Sequence, residues 1–121
     1  MPSIATLSGV ALDCPDTLAL ARFYSDLSGW AVSSRSDDTW AQLETGRGWT
    51  LAFQHVDDYR APVWPGQAVP QQYHLDFDVA DLDEAERQVL GLGATKAAYQ
   101  PGTTFRVFLD PAGHPFCLCR D

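Results

Sequence analysis

Apolar and polar residues alternate over residues 7–14, which predicts a strand, and after Pro15 the period changes. Leu20, Tyr24 and Leu27 then recur at helical spacing, with Asp16 placed to cap the start and Gly29 just past the end, so a helix is expected over about 17–28. Short runs at 30–34, 39–44 and 50–56 predict three strands, set apart by Ser36-Asp37-Asp38 and Gly46-Arg47-Gly48. The same order, β-α-β-β-β, then returns. Residues 74–79 read as a strand. Asp81-Leu82-Asp83-Glu84 reads as a capping box, Asp81 accepting a backbone N–H near Glu84 while Glu84 reaches back. A helix to about Leu90 should end at Gly91 and Gly93, followed by strands near 95–99, 104–109 and 115–120.

The two series align at an offset of about 65 residues, where Asp13 meets Asp78, Asp16 meets Asp81, Arg22 meets Arg87, Leu27 meets Leu92, Thr39 meets Thr104 and Gly48 meets Gly113. Apolar positions coincide as well: Val10 with Leu75, Leu12 with Phe77, Leu43 with Phe108, Leu51 with Phe116, Phe53 with Leu118. This is a duplicated unit, and the cleft between such halves is a natural place for a ligand. The chain is read as one domain over 1–121, with a first module at about 5–56, a linker over 57–72 and a second module at about 73–121. The linker carries Pro62, Pro65 and Pro70 with Trp64, and reads either as a surface connector or as a flap whose Trp64 closes a pocket mouth.

Charge narrows the partners. With 16 acidic against 8 basic side chains the net charge is −8, the wrong sign for nucleic acid. No apolar run reaches the 18 or so residues of a membrane span, and the start has no signal-peptide pattern, so a cytoplasmic protein is expected. Cys14, Cys117 and Cys119 are then read as reduced, structural thiols. Phosphate loops, nucleophile elbows and Cys-x-x-Cys pairs do not occur.

The paired β-α-β-β-β order, Phe23-Tyr24-Ser25-Asp26-Leu27-Ser28-Gly29-Trp30 at the end of the first helix, and Asp110-Pro111-Ala112-Gly113-His114-Pro115-Phe116 before the last strand resemble the vicinal oxygen chelate superfamily. That superfamily includes glyoxalase I, extradiol dioxygenases, and bleomycin and fosfomycin resistance proteins. The resemblance spans about residues 5–120 and implies an α+β fold, two tandem βαβββ modules forming a curved, cup-shaped mixed sheet, in a homodimer. In metal-dependent members the ligands come from positions that correspond here to Gly9, Ala52, His74 and Cys117. Glycine and alanine carry no donor, so no metal cofactor is expected. A divalent metal on a rearranged site of His74, Asp76, Cys117 and Gln54 stands as the alternative.

Within that resemblance the ligand is expected to be a small, partly aromatic molecule. His74 is the candidate catalytic group, since imidazole titrates near neutrality and suits metal-independent proton transfer. Asp76, two residues along the same face, lies about 6–7 Å further on, loose for a direct bond. Gln54, Asp76, Cys117, Trp49, Trp64 and Arg106 are the candidate substrate-binding residues: Gln54 and Asp76 to orient the ligand, Cys117 on the floor, Trp49 and Trp64 to stack, Arg106 to meet an anionic group. Trp40 and Phe105 are repeat equivalents, which favours core packing for both. His114 is expected to stabilise its turn and His55 to face away from the ligand. The rival classes are a metal-dependent lyase, isomerase or dioxygenase, and an antibiotic-sequestering resistance protein with no catalytic group.

Overall fold

The first compact unit, described from residue 3 and ending at Asp57, runs β1 (Gly9–Cys14), α1 (Thr17–Ser28), β2 (Ala31–Val32), β3 (Trp40–Glu44) and β4 (Thr50–His55) in this computed structural model, which describes residues 3–120. The second begins at Asp58 and runs β5 (Leu75–Val79), α2 (Leu82–Gly91), β6 (Thr95–Lys96), β7 (Phe105–Leu109) and β8 (Pro115–Arg120). Each holds one mixed four-stranded sheet, ordered β1-β4-β3-β2 and β5-β8-β7-β6, with the first strand parallel to the last. The chain is therefore α+β, as expected. The repeat offset maps β3 onto β7 and β4 onto β8 end to end, and it maps register too: Ala11 opposes Ala52 as Asp76 opposes Cys117.

Local chemistry fixes the helix ends. Asp16 accepts from the Ala19 amide at 3.1 Å, and Gly29 takes the left-handed backbone (φ 81°) that closes α1. Asp81 likewise accepts from the Glu84 amide at 3.2 Å. The reciprocal half of the capping box does not form, because the Glu84 carboxylate turns outward to Arg87 and Gln88. An exposed guanidinium one turn on competes with the backbone for that carboxylate, and here it wins.

The edge strands β2 and β6 are shorter than the sequence predicts, with a physical cause visible in the second unit. Ala97 donates to the Val107 carbonyl at 3.1 Å, and then the Gln100 side chain takes over. Its Nε2 donates to the same carbonyl at 2.8 Å and its Oε1 accepts from the Val107 amide at 2.9 Å. A side-chain amide thus replaces the backbone of a longer β6. In the first unit Ser33 continues the ladder to Gln42 by one bond before the chain turns at Ser36.

One face of each sheet packs on its helix. Leu12, Leu43, Leu51 and Phe53 are fully buried beneath Leu20 and Tyr24, with the Tyr24 and Phe53 rings stacked at 5.8 Å. Phe108, Phe116 and Leu118 do the same in the second unit. Asp110, 4% exposed, ties the turn into β8 by accepting from the Ala112 amide at 2.9 Å and the His114 amide at 3.0 Å. His114 is buried against Tyr59, whose hydroxyl donates to the Ala112 carbonyl at 2.6 Å, so it serves the turn as expected. The stretch 59–62 is thereby tied to this unit, and a side chain at Gly113 would meet the Ala61 Cβ at 2.8 Å.

His55 ends β4 between the Pro15 carbonyl (3.0 Å) and Asp57 (2.8 Å), and the hydrogen bond to Asp57, then that to Pro15, raises its pKa above the ordinary value. A raised folded-state pKa contributes stability that is fully present below the ordinary histidine range, about 6.5, and lost as pH rises through the raised value. The contribution is small because the pair is exposed. NMR titration should find His55 titrating high in the native chain and moving back toward its ordinary value in Asp57→Asn. An unchanged midpoint in that variant would show that the carboxylate is not the cause.

Candidate functional site

Strand alternation sends Phe116 and Leu118 to the helix and leaves Pro115, Cys117 and Cys119 on the opposite face, beside Val107 and Phe105 of β7. Ala97, Val107 and Cys117 form a small buried cluster there, with Trp64, Phe105 and Cys119 packed against it. Above it lies a cavity of about 340 Å³ lined by Trp64, Gln71, His74, Pro101, Phe105, Val107, Pro115 and Cys117. That volume falls within the range of small-molecule pockets, about 300–1,000 Å³. Most of the wall is apolar or aromatic, and Trp64 is braced by Tyr99, ring centroids 5.7 Å apart. A Cβ at Gly102 would collide with the Phe105 ring, so any side chain at 102 would drive that ring out of place.

The polar part of the site sits at its edge. His74 lies just before β5, and its Nε2 is 3.6 Å from Asp76 Oδ1. The backbone step predicts a loose spacing, but both side chains lean along the strand and close it. Both are also exposed, at 43% and 58%. Cys117, 8% exposed, lies opposite Asp76. Burial, then the Asp76 and Cys119 charges, push its thiol up to about 12, and burial with Asp76 and Asp78 also raises Cys119. A reactive cysteine needs the opposite shift, so both thiols are held protonated at neutral pH. Gln71 carries an Oε1 that is buried with no hydrogen-bond partner, in the wall of the same cavity.

Of the residues chosen from sequence, His74, Cys117 and Trp64 meet at this cavity, and Asp76 adjoins it. Arg106 does not. It lies on the helix-facing side of β7, held at 2.9 Å by Asp83 and 3.1 Å by Glu86, and it is not at hand for an anionic substrate. Gln54 and Trp49 belong to the first unit. Gln54 is exposed at the end of β4, and Trp49 packs edge-on against Trp30 at 5.9 Å. Core packing is corrected for Trp40, which is 40% exposed on the face away from α1, whereas Phe105 packs partly buried against the Ala97, Val107 and Cys117 cluster and also walls the cavity. Gln71, Pro101, Phe105, Val107 and Pro115 were missed as site residues. Only the sequence proximity of Gln71 to His74 could have pointed to it.

The first unit has a smaller counterpart of about 210 Å³, lined by Gly9, Ala11 and Ala52 with Trp40 among its walls. A Cβ at Gly9 would meet Thr50 Oγ1 at 2.8 Å and the Thr50 carbonyl at 3.1 Å, so a ligating side chain there would require Thr50 to shift.

The metal alternative can be tested on the second unit's own donors. One atom each of His74, Asp76 and Cys117 lie within 4.8 Å of one another. Two ligands of a tetrahedral ion with bonds of about 2.1 Å sit about 3.4 Å apart, close to the His74–Asp76 spacing. One nitrogen, one oxygen and one sulfur make a set that Zn²⁺ accepts, and three protein donors leave a fourth position open. The set fits such an ion, provided the ion displaces the Cys117 proton. Gln54, the fourth donor of that alternative, belongs to the first unit.

Residues 9–119 match the family model described as Glyoxalase-like domain, and the chain belongs to that family, within the vicinal oxygen chelate superfamily. Among solved structures it is similar to a glyoxalase/bleomycin resistance protein/dioxygenase family enzyme from Burkholderia phytofirmans PsJN, at 22% identity and TM-score 0.72, covering 96% of this chain and 98% of that one. A glyoxalase-related enzyme from Fulvimarina pelagi follows at 20% identity and TM-score 0.68, covering 98% and 89%. Lactoylglutathione lyase from Agrobacterium tumefaciens shares 22% identity at TM-score 0.63, covering 99% and 96%. At these identities the likeness is one of fold. No curated protein matches the chain. Among the described residues no helix is long and apolar enough to cross a membrane.

Proposed function

We propose that the second unit binds a small, partly aromatic molecule in the Trp64–Phe105 cavity, and that His74, paired with Asp76, exchanges a proton with it. The observation that supports this reading is the cavity itself, apolar and aromatic over most of its wall, with the imidazole at its edge. Apolar burial supplies most of the affinity, at about 25 cal/mol per Å² before the cost of ordering the ligand. The Asp76 carboxylate, 3.6 Å from Nε2, is placed to orient the ring.

A screen of flat heteroaromatic fragments by NMR, on protein stripped with EDTA, tests the binding. Hits should shift Trp64, Phe105 and Val107 together. Hits that shift only residues elsewhere sink the cavity reading. For hits with an acidic C–H, wash-in of solvent deuterium that disappears in His74→Ala supports proton transfer. Binding and turnover both unchanged in His74→Ala would leave sequestration as the function.

The metal reading rests on its own observation, the three donors within 4.8 Å. An ion held by His74, Asp76 and Cys117 would supply Lewis-acid polarisation of a substrate oxygen. Elemental mass spectrometry of tag-free, chelator-free protein decides it. Near-stoichiometric metal that is lost in both His74→Ala and Cys117→Ser establishes this reading, and its absence from the native chain retires it.

A further inference from the structure

We propose that the ligand of the second unit's cavity carries a protonated amine or comparable hydrogen-bond donor on its flat apolar body, and that the site selects against carboxylates and phosphates. The inference rests on the cavity reading above and adds the chemical class of what enters it.

Three observations carry it. No lysine or arginine lines the cavity, and the charge at its edge is the Asp76 carboxylate beside His74. Of the basic groups nearby, Arg106 is held by Asp83 and Glu86, Lys96 by Glu86 and Arg87 by Glu84, all on α2, while Arg60 and Arg120 are not part of the cavity lining. An anionic ligand would therefore be desolvated without a counter-charge, which is costly, while a cation gains both a carboxylate and two aromatic walls. The third observation is Gln71. Its side chain lines the cavity and its Oε1 is buried with no hydrogen-bond partner, so a ligand donor that draws the amide toward the cavity would give that oxygen the partner it lacks. The site thus offers acceptors and π faces where an anion receptor would offer donors.

Three probes with one ring system separate the outcomes: 1-naphthylmethylamine, 1-naphthalenemethanol and 1-naphthoate, titrated into EDTA-treated protein and followed by the Trp64 indole N–H resonance. The expected order is amine, then alcohol, then carboxylate, with about tenfold or more between the first and the last. Asp76→Asn should bring the amine close to the alcohol, and Gln71→Leu should weaken amine and alcohol together while the chain keeps its melting temperature. Equal binding of all three leaves the cavity reading standing and overturns the donor preference. Tightest binding by naphthoate overturns it as well, as does a preference untouched by Asp76→Asn. Binding by none of the three at millimolar concentration overturns the inference together with the cavity reading it rests on.

Discussion

Replacing Asp110 by alanine is expected to destabilise the chain by about 3–5 kcal/mol, lowering the melting temperature by more than about 10 °C. The carboxylate is 4% exposed and accepts two backbone N–H bonds, from Ala112 and His114, within a turn where the Gly113 amide also returns to the Asp110 carbonyl at 2.8 Å. Alanine leaves both amides buried without that acceptor, and hydrogen bonds to a charged group are worth about 1.5–3 kcal/mol each. Water has little access to repair the loss, since Ala112 and His114 are themselves buried. Because the turn delivers the chain into β8, the change should also disturb Cys117 and Val107, and with them the cavity floor. Asp110→Asn keeps one oxygen acceptor and should lose roughly half as much. Thermal and urea unfolding of the two variants measure this. A loss below about 1 kcal/mol in Asp110→Ala would show that the backbone alone holds the turn.

The same turn shows how far sequence reading goes. Asp110-Pro111-Ala112-Gly113 is legible because each residue answers a local need: an acceptor, a fixed φ, and at Gly113 a backbone at φ 90° that other side chains resist. The duplication was legible for a related reason. Leu43/Phe108 and Phe53/Leu118 must face their own helix in each half, so burial writes the same period twice. What escaped were contacts decided by competition between partners. Glu84 had two options and took Arg87. Arg106 was read as open to a ligand because nothing in a strand's pattern tells that Asp83 and Glu86 stand within reach on α2. Gln71 sits in a stretch with no periodicity to read, and the closeness of His74 to Asp76 depends on side-chain lean rather than on spacing.

Removing the Trp64 indole is the sharpest test of where ligand affinity comes from. Trp64 is only half-buried in the free protein, yet it lines the cavity and is steadied by Tyr99. Its loss should therefore cost the folded state little and a bound ligand much. A flat ligand covered by the ring gains contact area and stacking worth about 2–3 kcal/mol, so Trp64→Ala should weaken binding by about 30–150-fold. Trp64→Phe retains a smaller ring and should recover part of it, whereas Trp64→Leu restores apolar area without a π face. An amine probe should distinguish phenylalanine from leucine more than an alcohol does, because a cation uses the ring's electron-rich face. Titration of 1-naphthylmethylamine and 1-naphthalenemethanol against the three variants, with melting temperatures as the control for folding, reads all of this at once. Affinity unchanged in Trp64→Ala would place the ligand somewhere other than this cavity. Equal recovery by phenylalanine and leucine would mean that the wall acts through apolar burial alone, and that Asp76 and Gln71 must carry any preference for the amine.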